Sequence, residues 1–208
     1  MRLKRLVIMI SGGGTNMQAL MDAIGKGEIA AEIVGVIASN EKAYGITRAE
    51  QAGIPTQVVA RKAFSSFEAF NVTNLAAIEA FKPDGIVLAG YLAMICPEII
   101  NTYRNRIINI HPSLIPSFCG KGFYGKKVHQ GVLDYGAKLS GATTHFVDEG
   151  ADTGPVIMQK SVPVMDDDTA ESLASRVLSV EHEILVQTVR AFCADKIAVN
   201  GRKVSLTV

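Results

Sequence analysis

Two polar side chains, Asn109 and His111, lie at the end of a short apolar run that begins at residue 107. An apolar run closed by a proline, here Pro112, is typical of a buried strand that ends in a loop. Side chains alternate along a strand, so Asn109 and His111 are predicted to lie on one face. A carboxamide donor beside an imidazole can polarise a carbonyl group and hold the oxyanion that forms on nucleophilic attack. The alternative is structural: Asn109 caps a turn and His111 is an ordinary core histidine.

The second segment that could do chemistry is a glycine turn at residues 11–16, which connects the apolar run 6–10 to apolar residues at helical spacing. Strand, glycine turn and helix together aim backbone N–H groups at an anion. The turn lacks the third glycine of the dinucleotide fingerprint and the Gly-Lys-Ser/Thr of a P-loop. It therefore predicts a site for one phosphate, held by Gly14, Thr15 and Asn16. The motif favours equally a tight turn with Thr15 or Asn16 as the helix N-cap.

The elements that must position these groups alternate between strands and helices. Continuous apolar runs are typical of strands buried in a parallel sheet, and such runs lie within residues 6–10, 32–38, 86–90 and 107–111. A further short strand is predicted at residues 56–60. Helical spacing, bounded by glycine and proline, predicts helices at about residues 17–24, 42–52, 64–81, 127–135 and 170–194. Strands at 140–147 and 156–164 and a hairpin at Asn200-Gly201 complete the chain. We expect an α/β fold: a doubly wound, mainly parallel, twisted sheet with helices on both faces and an antiparallel C-terminal elaboration.

Ligands of such sheets bind at the carboxyl ends of the strands. The predicted order of elements gathers three segments there: residues 12–16, 109–111 and 148–152. The third segment is acidic and rich in turn residues. A further loop, residues 91–97, is apolar where a loop is usually polar. It could line a pocket for a flat heterocycle or pack against the neighbouring helix, and the pattern alone favours packing.

The composition limits the class of protein. The 208 residues carry a formal net charge of +1, which gives no sign of bulk electrostatic binding to nucleic acid. Cys96, Cys119 and Cys193 are far apart and predict neither a disulfide framework nor a zinc site, and the four histidines are too dispersed to predict a metal site. The apolar runs are too short to span a bilayer, and no signal peptide follows Met1. We expect one domain, residues 1–208, in the reducing cytoplasm.

In these features the sequence resembles the phosphoribosylglycinamide formyltransferases, folate-dependent enzymes of purine synthesis. The resemblance is carried, in family order, by residues 10–16, 87–91, 109–116 and 145–155. Asn-x-His-Pro-Ser-Leu followed by the acidic loop is specific to formyltransferases of this fold, and the early glycine turn in so short a chain narrows the match. The resemblance implies transfer of a formyl group from 10-formyltetrahydrofolate to glycinamide ribonucleotide in purine biosynthesis. It also implies a monomer or homodimer that uses no metal and binds neither nucleic acid nor membrane.

The resemblance assigns roles to individual residues. Asn109, His111 and Asp152 would be catalytic, and the ribonucleotide would be bound by Gly14, Thr15, Asn16 and Glu181. The folate would be bound by Leu92, Ala93, Met94, Ile95, Asn109, Asp148, Glu149, Gly150, Ala151 and Asp152. Residues 1–105 would form a phosphate-binding half, and residues 106–208 a catalytic and folate-binding half.

The chemistry can be argued from the side chains. The glycinamide amine attacks the formyl carbon, and Asn109 and a protonated His111 would donate hydrogen bonds to the oxyanion. A free histidine has a pKa of about 6.5, and an ionised Asp152 nearby would raise the pKa of His111. Asp152 would also take the amine proton, through a water molecule, and pass it towards the folate nitrogen.

The sequence departs from the family at three places. Phe67 stands where many relatives carry an arginine near the glutamate tail of the folate, so Arg61 or Lys62 would have to supply that contact. Leu178 stands where relatives carry a polar residue, one helical turn before the ribonucleotide-binding glutamate. The loop at residues 117–125 is longer than in many relatives. It would be a mobile lid or, slightly less favoured, a packed surface excursion.

Three other functions compete with this one. A formyltetrahydrofolate hydrolase shares the catalytic residues but usually carries an additional N-terminal regulatory domain. A methionyl-tRNA formyltransferase would need a further C-terminal domain and a more basic surface. A phosphate-binding protein without catalysis would explain the glycine turn but not Asn109, His111 and Asp152 together.

Overall fold

The structure is a computed structural model that describes residues 2–207. Met1, the first residue of the segment in which no signal peptide was predicted, lies outside the described residues. The described residues fall into two compact units that divide between Ile108 and Asn109. The elements of the first unit are, in chain order, β1 (Lys4–Ile10), α1 (Thr15–Gly25), β2 (Ala31–Ala38), α2 (Tyr44–Gln51), β3 (Thr56–Val58), α3 (Phe67–Ala80), β4 (Gly85–Leu88) and α4 (Pro97–Thr102). Strand β5 (Ile107–His111) carries the chain from the first unit into the second.

The strands of the first unit form a parallel sheet in the order β3-β2-β1-β4. Strand β1 pairs with a neighbour on each side, and its residues from Leu6 to Ile10 are fully buried. A parallel strand covered on both faces has no polar side, which is why its sequence is a continuous apolar run. The predicted strand–helix alternation is present through this unit, with the glycine turn between β1 and α1.

Several boundaries differ from the sequence predictions, and one α-helix was not predicted. Strand β3 ends two residues early, and α3 begins at Phe67 because Ser66 is its N-cap and accepts a hydrogen bond from the amide of Ala69. Helix α4 was not predicted. It has six residues, too few to show helical periodicity, although Pro97 at its first turn is a favourable start.

The elements of the second unit after β5 are α5 (Lys126–Tyr135), β6 (Leu139–Phe146), β7 (Val156–Pro163), α6 (Ala170–Cys193), β8 (Ile197–Asn200) and β9 (Lys203–Leu206). Strands β6 and β7 pair antiparallel, and β8 and β9 form the predicted terminal hairpin. Helix α6 begins with a capping box in which Thr169 and Ser172 bond each other's backbone amides. The elements predicted for this unit are all present. Among the described helices, none combines the length and apolar character needed to cross a membrane.

Candidate active site

Strand β5 ends in Asn109 and His111, and the loop after β6 carries Asp152 to the same place. Oδ2 of Asp152 lies 3.5 Å from Nδ1 of His111. Oδ1 of the same carboxylate lies 3.5 Å from Nδ2 of Asn109. His111 is buried, and the side chain of Asp152 is 18% exposed. The structure therefore brings together the three residues for which catalytic roles were predicted, with one carboxylate facing both an imidazole and a carboxamide.

His145, near the end of β6, completes this cluster, although the sequence analysis did not single it out. Its Nδ1 donates a hydrogen bond to the carbonyl of Phe146 at 2.9 Å, which leaves Nε2 to accept a hydrogen bond. Nδ2 of Asn109 donates to this Nε2 at 3.0 Å. This bond orients the carboxamide, while the second hydrogen of Asn109 makes only the long contact with Asp152 and can serve an oxyanion. The sequence feature that could have predicted the role of His145 was its position near the end of an apolar, alternating strand.

The loop at residues 117–125 supports the cluster with its backbone. The carbonyl of Phe118 lies 3.0 Å from Nε2 of His111, and the amide of Gly120 donates to Oδ2 of Asp152 at 2.9 Å. The ring of Phe118 makes edge-on contacts with the rings of Phe123 and Tyr135. These contacts favour the packed excursion over the mobile lid. Residue spacing in the sequence did not predict the role of the loop, because the loop contacts His111 and Asp152 through backbone groups and not through side chains.

The expectation that the pKa of His111 is raised is wrong, although the charge of Asp152 does act in that direction. Burial lowers the pKa of His111 below its ordinary value, and the charge of Asp152 and the carbonyl of Phe118 offset this only in part. Both ring nitrogens face acceptors, so a protonated ring would satisfy two contacts and a neutral ring only one. The ligand-free imidazole is therefore neutral at neutral pH and placed to take up a proton.

Asp152 has the opposite balance. Burial alone would raise the pKa of its carboxyl, but the imidazoles of His145 and His111 and the amide of Gly120 bring the pKa below the usual range. The carboxylate is therefore ionised at neutral pH. Its backbone has a φ of 58°, in the left-handed region that non-glycine residues seldom adopt. Strained backbone at a largely buried, ionised carboxylate is characteristic of functional sites.

The glycine turn lies in the first unit. Gly14 is the N-cap of α1 in the left-handed conformation, and among the described residues no side-chain hydrogen bond is made at this cap position. The alternative in which Thr15 or Asn16 is the N-cap is therefore wrong. A Cβ on Gly14 would lie 2.8 Å from the Cα of Gly45, whose amide donates to the carbonyl of Gly12 at 3.0 Å. A helix N-terminus without a side-chain cap is a general anion-binding feature.

Arg48, on α2, adds a positive charge to the glycine turn. Its Nε donates to the carbonyl of Gly13 at 2.9 Å, and its Nη1 donates to Gln18 at 3.3 Å. The guanidinium also lies 5.1 Å from the centre of the Tyr44 ring. The sequence analysis missed this residue because only the fold brings α2 against the turn.

The residues of the apolar loop after β4 differ in burial, so part of the loop fits the predicted packing role and part fits the predicted pocket. Leu92 and Met94 are exposed, Ala93 is partly exposed, and Ile95 is buried. Ile95 therefore packs into the protein, whereas the side chains of Leu92 and Met94 present apolar surface that could contact a ring system.

Ser11 connects this loop to the glycine turn. Its Oγ accepts a hydrogen bond from the amide of Leu92 at 2.8 Å, and its own amide donates to the carbonyl of Gly90 at 3.1 Å. The hydroxyls of Ser11 and Ser39 lie 2.5 Å apart and share a further hydrogen bond. The residue that precedes the turn thus anchors the backbone of the apolar loop.

The remaining predicted residues lie in the following places. Within the acidic loop, Oδ1 of Asp148 accepts hydrogen bonds from the amide of Gly150 and the hydroxyl of Thr153. Glu149 is exposed, and Ala151 is partly exposed. Glu181 is buried on α6, and Leu178 is partly exposed there. The guanidinium of Arg61 lies 5.3 Å from the centre of the exposed Phe67 ring, and Lys62 is exposed. Within residues 2–207 no group of three or more His, Cys, Asp and Glu side chains could hold a metal ion.

Comparison with known proteins identifies related sequences. A family model described as "Formyl transferase" matches residues 4–189. The chain is 41% identical over 197 residues to a chloroplastic phosphoribosylglycinamide formyltransferase of Vigna unguiculata, covering 94% of this chain and 63% of that protein. It is 37% identical over 179 residues to the phosphoribosylglycinamide formyltransferase of Escherichia coli (strain K12), covering 86% of this chain and 82% of that protein. The chain thus spans less than two thirds of the plant relative.

A solved structure shares the whole fold. The glycinamide ribonucleotide transformylase 1 of Symbiobacterium toebii superposes with a TM-score of 0.94 at 36% sequence identity, covering 100% of this chain and 95% of that one. The predicted fold class, a mainly parallel α/β sheet with an antiparallel C-terminal part, is therefore confirmed.

Proposed function

Because the chain belongs to the formyl transferase family and, within it, to the phosphoribosylglycinamide formyltransferases, we propose that it transfers the formyl group of 10-formyltetrahydrofolate to the amino group of glycinamide ribonucleotide in de novo purine biosynthesis. The observation that carries the proposal is the geometry around Asp152, whose two carboxylate oxygens face the imidazole of His111 and the carboxamide of Asn109. A phosphate-binding protein without catalysis would have no use for this arrangement.

The reaction begins when the lone pair of the glycinamide nitrogen forms a bond to the formyl carbon. The π electrons of the carbonyl move onto its oxygen, where Asn109 donates the hydrogen that makes only a 3.5 Å contact with Asp152. The attacking nitrogen becomes positive and loses a proton to the carboxylate of Asp152, directly or through water. His111, neutral before the reaction, takes up this same proton from Asp152 as negative charge develops beside it, which leaves an imidazolium beside an ionised carboxylate.

The tetrahedral oxyanion then collapses. The bond between the formyl carbon and N10 of the folate breaks, its electron pair stays on N10, and this nitrogen receives a proton from the Asp152–His111 pair. Each proton taken from the amine is thus returned to the leaving group, and no redox change occurs. No group beyond the two substrates is needed for the balance of atoms and charge.

Substrate binding is proposed from the remaining residues. Gly14, Thr15 and Asn16 hold the ribonucleotide phosphate at the N-terminus of α1, with Arg48 supplying positive charge at the same turn. Glu181 binds the ribonucleotide. Phosphate binding belongs to residues 1–105 and catalysis to residues 106–208.

The folate contacts are proposed to come from two loops. These contain Leu92, Ala93, Met94 and Ile95 in the first unit, and Asp148, Glu149, Gly150, Ala151 and Asp152 in the second. The exposed side chains of Leu92 and Met94 support the first group. Arg61 stacks beside Phe67 and is the proposed partner of the glutamate tail.

The protein is also proposed to be cytoplasmic and to act as a monomer or homodimer, without nucleic acid or membrane partners. Within residues 2–207, Cys96, Cys119 and Cys193 form no disulfide bond, which suits a reducing compartment. Sedimentation equilibrium of the purified protein distinguishes the two oligomeric states.

The test is to mix the purified protein with 10-formyltetrahydrofolate in the presence and absence of glycinamide ribonucleotide, following both tetrahydrofolate and the formylated ribonucleotide. Equal amounts of the two products, formed only when the ribonucleotide is present, support the transferase. Tetrahydrofolate and formate formed without the ribonucleotide indicate a hydrolase. Neither product, together with binding of the ribonucleotide, indicates a binding protein.

A further inference from the structure

The C-terminal hairpin contacts the loop that carries Asp152. Nη2 of Arg202 donates a hydrogen bond to the carbonyl of Thr153 at 2.9 Å. Arg202 is in the turn of the β8–β9 hairpin, and Thr153 directly follows the catalytic carboxylate in the chain. The hairpin lies beyond residues 4–189, the part of the chain that the family model matches.

The backbone of the hairpin determines the position from which the side chain of Arg202 extends. Asn200 pairs with Lys203, so the turn consists of Gly201 and Arg202 alone. Gly201 has a φ of 59°, as two-residue hairpin turns require at their first central position. Strand β9 also packs beside β7, which starts at Val156 directly after the acidic loop. The turn is therefore held close to the loop by ordered strands and not by a flexible tail.

The loop needs such support because its backbone is strained. Asp152 has a φ of 58°, and such residues keep their conformation only when the surroundings determine it. On one side the amide of Gly120 holds the carboxylate at 2.9 Å. On the other side Arg202 holds the carbonyl one residue later. The strained residue thus lies between two hydrogen bonds that come from different elements of the second unit.

From this arrangement we infer that Arg202 is a positioning residue: it holds the acidic loop so that the carboxylate of Asp152 faces His111 and Asn109. The inference rests on the proposed function for its catalytic meaning, but the position of the carboxylate can be measured in the absence of substrates. Asp152 is faced by His111, His145 and Cys119, and His111 is faced by Asp152, His145 and His129. Movement of the carboxylate therefore alters the titration of His111.

The decisive experiment compares the full-length wild type with Arg202→Ala, Arg202→Lys and the control Lys203→Ala, an exposed residue next in the same hairpin. The first measurement is the titration of the His111 ring by proton NMR in the ligand-free proteins, with its resonance assigned from a His111→Asn variant. In Arg202→Ala the pKa of His111 is expected to fall further, because the carboxylate that raises it is no longer held. Arg202→Lys should restore part of the shift, and Lys203→Ala should titrate like the wild type.

The second measurement is steady-state formyl transfer with both substrates varied. Loss of one such hydrogen bond corresponds to roughly a two- to tenfold change, expected in kcat and not in the KM for the ribonucleotide. An unchanged His111 titration and an unchanged kcat in folded Arg202→Ala overturn the inference. So does a loss of kcat that Lys203→Ala shares, or a lowered thermal midpoint without a change in titration. If the wild type transfers no formyl group, the proposed function fails, while the titration still decides the role of Arg202.

Discussion

Replacing Asp152 with asparagine removes one negative charge from the cluster and keeps the side-chain size. The amide oxygen of asparagine can still accept the hydrogen bond that Gly120 donates at 2.9 Å. Asparagine also tolerates the left-handed backbone found here better than most residues do. The variant is therefore expected to fold, and the change in rate reports the charge and not a collapsed loop.

The size of the effect follows from the distance between the charges. When His111 takes up a proton in the transition state, its Nδ1 lies 3.5 Å from the carboxylate. At an effective dielectric constant of about 20, two unit charges at that distance attract by about 5 kcal/mol before desolvation is subtracted. Loss of the proton acceptor alone costs roughly a hundred- to ten-thousandfold, which is about 3 to 5 kcal/mol. We therefore expect Asp152→Asn to lower kcat by roughly that factor.

The assay is formyl transfer under saturating substrates, with product formation measured in a single turnover so that product release does not hide the chemical step. Asp167→Asn, an exposed acid outside the site, is the matched control. Because the pKa of Asp152 is lowered in the folded protein, its ionised form contributes stability above a pH of about 4, and this contribution is lost as the pH falls through the folded pKa. The stability difference between wild type and Asp152→Asn should therefore shrink on acidification. A folded variant with a kcat within threefold of the wild type would refute the role of the carboxylate.

Three further outcomes are expected. His145→Leu removes the acceptor that orients the active-site carboxamide, so kcat should fall by roughly ten- to a hundredfold with little change in either KM; a normal kcat removes that positioning role. Burial lowers the pKa of His129, as it does for two other histidines, so the unfolded chain binds more protons than the folded one. Thermal midpoints should then drop as the pH falls below about 6.5, and less steeply in His129→Gln. Gly45→Ala places a Cβ 2.5 Å from the side chain of Ile10 and should displace the glycine turn, raising the KM for the ribonucleotide by roughly tenfold. Gly25→Ala has open space around its Cβ and should not change that KM.

The sequence predicts the parts of the site that depend on local pattern. Alternation in the run at residues 107–111 placed Asn109 and His111 together. The order of elements brought the acidic loop to the same edge, and the resemblance to the formyltransferases singled out Asp152 within it. The loop at residues 117–125 was the harder case, because its contribution comes from one carbonyl and one amide whose directions no side-chain pattern encodes. His145 was missed for a related reason: its contact with Asn109 depends on the pairing of distant strands.

The pKa of His111 shows a different limit. The sequence indicates a nearby carboxylate but not the extent of burial, and burial is the larger influence on this ring. Arg48 was missed because its contact with the glycine turn links residues 35 positions apart. Patterns thus predicted which groups are present more reliably than the environment that determines their protonation.

The anchoring of the apolar loop by Ser11 has a consequence for changing the specificity of the protein. Ser11 accepts from the amide of Leu92 and donates to the carbonyl of Gly90, and it directly precedes the glycine turn. An engineer who reshapes the loop to accept a different heterocycle will therefore also alter the turn at which we propose that the phosphate binds. A variant library designed to accept folate analogues should therefore change the apolar loop and the glycine turn together, and each variant should be tested with both substrates.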